Sequence, residues 1–514
     1  MYLTQALHRA LQQAPDRAMT VCGDRVRTTR ETVDRVSRLG GGLRGLGVAE
    51  GDRVAVLARN SDRYHELFFA SWWIGAAVNP VNLRWSTAEI VYGLDDSGSK
   101  VLLVDEAFAS LVPELRKRCP RLTTVLYCGE GSAPDGTHGY EELISAADPV
   151  DDVRAGGDAL AALLYTGGTT GSPKGVMVGH RGLMTSTLGA QATTSAAVAG
   201  GTLLVSTPMF HIAALVGWMG QIIAGGTVVF LPSFSTEGVL EALDRHRVTS
   251  IGLVPTMMQM LIDHPAVGRY DLDSVRRVGY GASPISETTL TRAMEVFPRA
   301  EFRQLYGMTE TAVVTVLGPD EHRAGGRLLR SAGRAAPHCE VRVVDPDGSE
   351  VPPGRAGELI CRGDNLMLGY WNKPEETAAV LREGWMHTGD GATMDEDGYV
   401  FITDRIKDMI ITGGENVYSA EVENALARHP AVASCAVIGV PDERWGERVH
   451  AVVVLKPGTT ATPAELRDHT ARSIAGYKTP RTVEFTDALP VSGAGKILKR
   501  ELRARYSAPG APSS

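Results

Sequence analysis

The segment Tyr165-Thr-Gly-Gly-Thr-Thr-Gly-Ser-Pro-Lys-Gly175 follows an apolar run at 160–164 and carries most of the information about this chain. A strand that runs into glycines and hydroxyls, and then into a lysine, has the composition of a polyphosphate-binding loop. Glycines let backbone N–H groups approach phosphate oxygens, threonine hydroxyls donate hydrogen bonds, and Lys174 adds positive charge. The segment is not a Walker A loop, because it lacks the GK[ST] ending. Taken alone, it can also be interpreted as a flexible surface loop.

Patterns typical of strands and helices alternate through the first four hundred residues. Strands are predicted at 52–57, 100–105, 248–253 and 276–280, and helices at 63–74, 239–245, 255–263 and 286–297. This alternation predicts a layered α/β architecture with largely parallel sheets. From about residue 331 the pattern changes to short strands and turns, which indicates a β-rich part.

A second, shorter unit begins after the β-rich part, with strands and helices again predicted between 409 and 474. We therefore expect a large N-terminal domain at 1–404, whose β-rich part covers about 331–404. A small α+β C-terminal domain of common size follows at 405–506. The last residues, 507–514, are rich in Ala, Pro and Ser, and we expect them to be disordered.

The composition is that of a folded protein, and it lacks the excess of basic residues that is typical of nucleic-acid-binding proteins. Among 514 residues, 43% are hydrophobic and 22% are charged, which excludes global disorder. Sixty acidic and 52 basic residues give a net charge of −8, so an anionic ligand needs a local site. The six cysteines show no CxxC spacing, which argues against a disulfide scaffold and favours the cytoplasm.

One long segment lacks charge. No Asp, Glu, Lys or Arg occurs between Arg181 and Glu237. Glycine pairs, Pro208 and His211 interrupt the segment, so no run approaches the ~20 apolar residues of a membrane span. We predict no integral membrane segment here, but buried strands and a helix around a pocket.

Two other patterns resemble functional motifs but lack the neighbouring residues that such motifs need. Gly40, Gly42 and Gly45 satisfy GxGxxG, but they follow a Thr28-x-x-Glu31 capping box and apolar residues at helical spacing, whereas the dinucleotide fingerprint follows a strand. We expect a helix there. His180 and His211 are not spaced like metal ligands. The sequence therefore does not predict a metal site built from protein ligands alone.

The loop at 165–175 resembles the phosphate-binding signature of the adenylate-forming superfamily of acyl-CoA synthetases, peptide-synthetase adenylation domains and luciferases. The resemblance extends from Thr28 to about Arg503, and nine more motifs follow in the superfamily's order. They are Pro208-Met-Phe-His211, Gly281-Ala-Ser-Pro284, Tyr306-Gly-Met-Thr-Glu310, Gly357-Glu358, Gly369-Tyr-Trp371, Trp385-Met-His-Thr-Gly-Asp390, Asp404-Arg-Ile-Lys-Asp408, Gly413-Gly-Glu-Asn416 and Gly495-Lys496. The whole pattern looks most similar to bacterial medium- and long-chain fatty-acyl-CoA ligases.

The resemblance implies a reaction with ATP and Mg²⁺, in which a carboxylate attacks the α-phosphate and gives an acyl adenylate and pyrophosphate. It also implies which residues meet the nucleotide. The phosphate residues are Thr166, Gly167, Gly168, Thr169, Thr170, Gly171, Lys174 and Thr309; the metal ligand is Glu310; the adenine residues are Gly281, Ala282, Ser283, Tyr306 and Gly307; and the ribose residues are Asp390 and Arg405. Gly167 departs from the serine that many relatives have, which removes one hydroxyl from the loop.

The resemblance further implies a mobile C-terminal domain. Lys496 would swing in to bridge the carboxylate and the α-phosphate, and Lys407 would be the hinge between adenylation and thioester formation. Gly414 would lie beside the channel for coenzyme A, the expected thiol, because no carrier domain follows Arg503. A separate carrier protein is the alternative acceptor. Lys478 is a weak candidate for contact with the phosphates of coenzyme A.

The acid is expected to be fatty or aryl, in a pocket walled by His211, Tyr280 and Met308. His211 stands where amino-acid-activating members have an aspartate, which disfavours amino acids. The leading hypothesis is an ATP-dependent acid:CoA ligase. The alternatives are an adenylating ligase that uses a carrier protein, an amine or an unusual small acid, and a binding protein that has lost catalysis.

Overall fold

The structure is a computed structural model that describes residues 1–166, 173–194, 197–405, 408–412, 415–442, 445–491 and 497–506. The predicted site residues Gly167, Gly168, Thr169, Thr170 and Gly171 lie outside the described residues. So do Lys407, Gly414 and Lys496, and the tail at 507–514 that was predicted to be disordered.

Helices and strands are numbered in chain order. The helices of the described residues are α1 (Gln5–Gln13), α2 (Thr29–Gly45), α3 (Asp62–Trp73), α4 (Thr87–Ser97), α5 (Val112–Arg118), α6 (Tyr140–Ala146), α7 (His180–Thr194), α8 (Ile212–Ile223), α9 (Thr236–Arg245), α10 (Pro255–Ile262), α11 (Glu287–Val296), α12 (Pro319–Ala324), α13 (Pro374–Val380), α14 (Ser419–Ala427), α15 (Pro463–Ala471) and α16 (Lys499–Tyr506).

The first sheet has nine strands in the order β16-β15-β14-β13-β12-β10-β11-β1-β2. They are β1 (Ala18–Cys22), β2 (Arg25–Thr28), β10 (Thr202–Val205), β11 (Thr227–Phe230), β12 (Ser250–Leu253), β13 (Arg277–Gly281), β14 (Glu301–Tyr306), β15 (Thr315–Leu317) and β16 (Arg334–Ala335). The six strands from β1 to β14 in this order are parallel, and the outer strands are antiparallel.

The second sheet has eight strands in the order β19-β9-β8-β4-β3-β5-β6-β7. They are β3 (Arg53–Leu57), β4 (Ala77–Pro80), β5 (Val101–Val104), β6 (Thr124–Tyr127), β7 (His138–Gly139), β8 (Leu160–Thr166), β9 (Lys174–Gly179) and β19 (Gly369–Tyr370). All of them are parallel except β9 and β19, which form an antiparallel edge beside β8.

Two smaller sheets follow. The third is antiparallel and holds β17 (Cys339–Val344), β18 (Gly357–Gly363), β20 (Leu381–Arg382), β21 (Trp385–Met394) and β22 (Val400–Arg405). The fourth belongs to the C-terminal part and holds β23 (Ile410–Thr412), β24 (Glu415–Val417), β25 (Val432–Asp442), β26 (Gly446–Leu455) and β27 (Thr482–Phe485).

The predicted fold class is confirmed as a mixed α/β protein with a large N-terminal and a smaller C-terminal domain. The Thr28–Glu31 capping box begins α2, and the glycines of the GxGxxG pattern lie within that helix, as expected. The charge-free segment forms α7, β10, α8 and β11. Within the described part of the chain, no helix is long and apolar enough to cross a membrane.

The main core packs around α3, which is buried along its whole length. Trp72 of α3 stacks on Trp218 of α8 at 6.5 Å between ring centroids. The indole N–H of Trp218 donates a 2.8 Å hydrogen bond to Nδ1 of His65, so a buried polar pair also joins the two helices. This packing holds α8, which follows the predicted pocket residue His211, in a fixed position.

Candidate active site

The predicted motifs lie at the carboxyl ends of the parallel strands in the first sheet. β11, which follows β10 in sequence, pairs with one edge of β10, and the later strand β12 pairs with the other, so the strand order reverses at β10. Ligands of open α/β sheets bind in the crevice that such a reversal leaves. His211 lies beyond β10, Gly281 ends β13 and Tyr306 ends β14, which places these three positions along one edge.

Close backbone approach explains two glycines at this edge. Gly281 of β13 pairs with Leu305 of β14, and a Cβ at Gly281 would lie 2.2 Å from the carbonyl oxygen of Leu305. A Cβ at Gly307 would lie 1.7 Å from the carbonyl oxygen of Ala312. Any larger residue at either position would force the facing backbone segments apart. Ala282, exposed and with a φ of 68°, and the half-buried Ser283 continue the turn after Gly281.

The residues predicted for adenine and ribose meet in the structure. The hydroxyl of Tyr306 donates a 2.6 Å hydrogen bond to Oδ2 of Asp390, which is 8% exposed. Burial, and then the carboxylate of Asp390, raise the pKa of Tyr306 well above its usual value, so the hydroxyl keeps its proton as the donor. In the backbone, Asp390 of β21 pairs with Arg405 of β22.

The two ends of the predicted phosphate loop form the last pair of a β-hairpin. Thr166 of β8 pairs with Lys174 of β9, so the hairpin closes the intervening segment at its base. The ammonium of Lys174 lies 4.9 Å from the centroid of the Tyr370 ring, within the range of a cation–π contact. The lysine therefore faces β19, the strand that pairs with β9.

Glu310 contacts the hydroxyl of the same tyrosine. The hydroxyl of Tyr370 donates a 2.8 Å hydrogen bond to Oε1 of Glu310, a carboxylate that is 7% exposed. No described residue donates a hydrogen bond to Oε2. Mg²⁺ prefers oxygen ligands and is commonly held by one or two carboxylates together with substrate phosphates. A buried carboxylate with one oxygen available fits that ion, and Thr309 precedes it in the same turn.

Tyr370 is the functional candidate that sequence reasoning missed. The motif Gly369-Tyr-Trp371 was recognised, but no role was assigned to its tyrosine. Burial, and then Glu310, raise the pKa of Tyr370 above its usual value, so it too remains a hydrogen-bond donor. The only signal in the sequence was membership of a motif, because the contact depends on how β19 pairs with β9.

One of the three predicted pocket residues, Tyr280, packs in a different core cluster from Met308. His211 is the N-cap residue of α8, with its ring 4.2 Å from that of Phe210, and Met308 packs against the main core. Tyr280 is 2% exposed and lies in a separate core cluster, where its hydroxyl is 2.9 Å from Nε2 of His322. Side chains alternate along a strand, and this alternation turns Tyr280 to the outer face of β13. The prediction that Tyr280 walls the pocket therefore gains no support from this packing.

Two further glycines, for which the sequence predicted no role, lie on the face of the first sheet opposite to Tyr280, which we call the inner face. Gly252 of β12 pairs with Gly279 of β13. A Cβ at Gly279 would make an ordinary 3.7 Å contact with Leu305, and one at Gly252 would meet nothing within 4 Å. Both glycines are only half-buried in central strands of the sheet, so open space lies against this face.

Lys478, the candidate for the phosphates of coenzyme A, is engaged elsewhere. Its ammonium lies 2.8 Å from both carboxylate oxygens of Glu421, an ion pair that helps to raise the pKa of Lys478 against the opposing effect of burial. This pairing leaves the candidate without support from the geometry.

Comparisons with known proteins agree with the sequence motifs. A family model described as AMP-binding enzyme matches residues 7–371, and one described as AMP-binding enzyme C-terminal domain matches 421–496. Two curated relatives align over nearly their whole lengths. A feruloyl-CoA synthase from Amycolatopsis sp is 41% identical over 97% of this chain and 98% of its own. The fatty acid–[acyl-carrier-protein] ligase ScoC from Streptomyces coeruleorubidus is 38% identical over 98% of this chain and 96% of its own.

A solved structure extends the agreement to three dimensions. The crystal structure of ATP-bound MatB from Rhodopseudomonas palustris matches with a TM-score of 0.89 and 31% identity, and the match covers 99% of both chains. The family models, the relatives and the shared fold all agree. This chain belongs to the AMP-binding enzymes, the family of ATP-dependent, AMP-forming acid:CoA ligases.

Proposed function

We propose that this chain activates a fatty or aryl carboxylic acid as an acyl adenylate and then transfers the acyl group to coenzyme A. The observation that carries the proposal is a pair of tyrosine–carboxylate contacts, Tyr306 with Asp390 and Tyr370 with Glu310. One pair has the chemistry for a nucleoside and the other, beside Lys174, has the chemistry for a metal-bound triphosphate. The feruloyl-CoA and fatty-acid relatives support the choice of acid.

The nucleoside would be held by an aromatic ring and a carboxylate. The ring of Tyr306 would stack on adenine, with Gly281, Ala282 and Ser283 along the other side. Asp390 would accept hydrogen bonds from the ribose hydroxyls, assisted by Arg405. Because Tyr306 already donates to Asp390, the carboxylate is oriented before the nucleotide binds, which lowers the entropic cost of positioning it.

The phosphates would be held by charge. Lys174 and the backbone and hydroxyl groups of 166–171 would bind the β- and γ-phosphates, and Thr309 would donate to the α-phosphate. Glu310 would hold Mg²⁺, which when bound neutralises phosphate charge as a Lewis acid. An oxygen of the acid would attack the α-phosphorus as the bond to the bridging oxygen breaks, so that pyrophosphate leaves with the electron pair.

The C-terminal domain would complete each half-reaction. We propose that residues 405–506 move about Lys407, that Lys496 brings its charge to the carboxylate and the α-phosphate for adenylation, and that Gly414 lies beside coenzyme A for the thioester step. These roles rest on the family motifs. The second family match, over 421–496, supports a separate C-terminal unit.

The acid would occupy the space on the inner face of the first sheet. His211 and Met308 would flank its carboxylate end, and Gly252 and Gly279 would leave room for its apolar body. An apolar chain or ring fits such a surface, because burial of each CH₂ group is worth about 0.8 kcal/mol. We place the enzyme in the cytoplasm, because all six cysteines are buried free thiols.

A carrier protein is the second candidate acceptor, and the similarity to ScoC favours it over an amine. The test measures pyrophosphate release by purified protein with ATP and Mg²⁺ across fatty, aryl and small acids. Each acid is tested with coenzyme A, a phosphopantetheinyl carrier protein, or neither, and products are identified by mass. Acid-dependent release with an acyl-CoA product supports the proposal. Release with only a carrier-bound product moves the acceptor to the carrier protein, and no acid-dependent release refutes both.

A further inference from the structure

Residues 365–371, which we call the strap, connect the turn that carries Glu310 to the phosphate-loop hairpin. At one end, the side-chain amide of Asn365 donates a 2.7 Å hydrogen bond to the carbonyl oxygen of Thr311. The backbone N–H of Met367 donates a 2.7 Å hydrogen bond to the carbonyl oxygen of Glu310 itself. The strap is thus fixed to the turn that follows β14 of the first sheet.

The other end of the strap is fixed to the second sheet. The N–H of Leu368 donates to the carbonyl oxygen of Met177 at 2.9 Å, and the N–H of Trp371 donates to that of Gly175 at 2.8 Å. Both acceptors lie in β9, the strand that begins at Lys174. Glu310 follows a strand of the first sheet and Lys174 begins a strand of the second, so the strap joins the two segments that carry these charges.

Tyr370 lies at the centre of this connection. Its hydroxyl donates to Oε1 of Glu310 at 2.8 Å, and its ring faces the ammonium of Lys174 at 4.9 Å. Its backbone N–H donates to Oγ1 of Thr377 at 2.8 Å, and the residue is 7% exposed. One rigid aromatic side chain therefore contacts both charged groups.

We propose that Tyr370 is a positioning residue that orients Glu310 toward Mg²⁺ and Lys174 toward the triphosphate. The proposal rests on the proposed function. A glutamate has three side-chain torsions, and the hydrogen bond to Oε1 fixes the carboxylate so that Oε2 faces away from the tyrosine. Hydrogen bonds to a metal ligand commonly change metal affinity by about tenfold or more. The ring has a separate effect, because a cation–π contact restrains the ammonium.

The test compares Tyr370→Phe with Tyr399→Phe. Tyr399 is a matched control, because its hydroxyl donates to Glu321 at 3.1 Å and Arg334 lies 4.9 Å from its ring, outside the site. Binding of Mn²⁺, a paramagnetic substitute for Mg²⁺, is measured by electron paramagnetic resonance with α,β-methylene-ATP present. We expect about tenfold weaker Mn²⁺ binding for Tyr370→Phe and wild-type binding for Tyr399→Phe.

A second substitution separates the hydroxyl from the ring. Tyr370→Leu removes both contacts, so we expect the Mn²⁺ defect of Tyr370→Phe together with about a threefold higher KM for ATP at saturating Mg²⁺. The double variant with Tyr370→Phe and Glu310→Gln should bind Mn²⁺ as well as Glu310→Gln alone does, because the tyrosine acts through the carboxylate. If Tyr370→Phe does not fold, Thr377→Val, which removes the anchor of the Tyr370 backbone, should weaken Mn²⁺ binding in the same direction.

The outcomes separate the two proposals. Wild-type protein that releases no pyrophosphate with any acid refutes the proposed function. Active wild-type protein whose Mn²⁺ affinity is unchanged by Tyr370→Phe refutes the positioning role. A lower melting temperature with unchanged Mn²⁺ affinity also refutes it, because a purely structural role predicts that pattern.

Discussion

The hydroxyl of Tyr306 donates a 2.6 Å hydrogen bond to Oδ2 of Asp390, a residue 84 positions later in the chain. Tyr306 ends β14 of the first sheet, and Asp390 lies in β21 of the third sheet. The bond therefore joins two sheets at the point where the family motifs meet. It also fixes an aromatic ring beside a carboxylate, which is the arrangement that we propose for binding the nucleoside.

Tyr306→Phe tests whether this bond organises the nucleoside site. The substitution keeps the ring but removes the 2.6 Å hydrogen bond from the hydroxyl to Oδ2 of Asp390. Hydrogen bonds to charged groups contribute about 1.5–3 kcal/mol, so we expect the KM for ATP to rise by about tenfold or more. The measurement is the KM for ATP in pyrophosphate release, with AMP binding followed by calorimetry.

Tyr280→Phe is the matched control for that substitution. The hydroxyl of Tyr280 contacts His322 in the outer core, so its loss should lower the melting temperature and leave the KM for ATP within about twofold of wild type. An equal rise in KM for both variants would contradict a specific role for Tyr306.

Gly279→Val tests the space proposed for the acid. A Cβ at this position makes an ordinary contact with Leu305, so the two methyl groups of valine would extend into the open space on the inner face. We expect kcat/KM to fall by about tenfold or more for long and bulky acids and to change little for short ones. The measurement is kcat/KM over a series of fatty and aryl acids.

Gly268→Val is the control for Gly279→Val. Gly268 lies in the turn at Val267–Arg269, and a Cβ there would meet nothing within 4 Å, so valine can be accommodated at this position as well. This substitution should leave the range of acids unchanged. A uniform loss of activity with all acids in Gly279→Val would count against a pocket at the inner face.

Lys496→Ala tests the proposed division of labour between the half-reactions. We expect adenylation to slow by about a hundredfold or more, because the variant lacks the ammonium that is proposed to stabilise negative charge on the α-phosphate. Thioester formation from added acyl adenylate should continue. The control is Lys499→Ala, since Lys499 forms a 2.8 Å ion pair with Glu423. Equal loss of both half-reactions in Lys496→Ala would contradict the assignment.

Lys407→Pro tests the proposed hinge in the opposite way. A proline fixes φ and restricts the preceding residue, so it should slow the thioester step more than adenylation. The rates of the two half-reactions are measured separately in single-turnover experiments. A loss confined to adenylation would be inconsistent with a hinge at this position.

The stability of the fold should decrease in mild acid because of buried histidines. Burial lowers the pKa of His180 to about 4, and neither ring nitrogen has a partner among the described residues. The unfolded chain, with an ordinary pKa of 6.5, binds the proton more readily, so stability is retained above pH 6.5 and lost as the pH falls toward 4. At pH 5 this histidine alone should cost about 1–2 kcal/mol of unfolding free energy.

His180→Leu checks that contribution. The variant should lose less unfolding free energy than wild type between pH 7.5 and pH 5, as measured by urea denaturation at both pH values. Parallel curves for the two proteins would show that His180 does not titrate on unfolding.

The elements and the motif residues could be predicted from the sequence because their signals are local. A capping box and apolar spacing predict α2, and the glycines at Gly281 and Gly307 mark tight turns at strand ends. The pairing of Tyr306 with Asp390 could be expected from family motifs alone, although the hydrogen bond itself could not.

Tertiary pairings account for what the sequence did not reveal. The contact of Tyr370 with Glu310 depends on β19, a strand of two residues whose sequence carries no periodic pattern. Tyr280 was expected in the pocket because it directly precedes the Gly281 motif, and its position in the sequence does not show which face of β13 its side chain occupies. The pairing of Gly252 with Gly279 depends on the register between β12 and β13, which only the structure provides.

The most direct test of the central claim follows the oxygen atoms of the acid. Acid labelled with ¹⁸O in its carboxylate is incubated with the enzyme, ATP, Mg²⁺ and coenzyme A, and the products are analysed by mass spectrometry. Attack of the carboxylate on the α-phosphate predicts one ¹⁸O atom in the released AMP and one in the acyl-CoA. AMP without the label, or label in inorganic phosphate, would contradict adenylation by this enzyme.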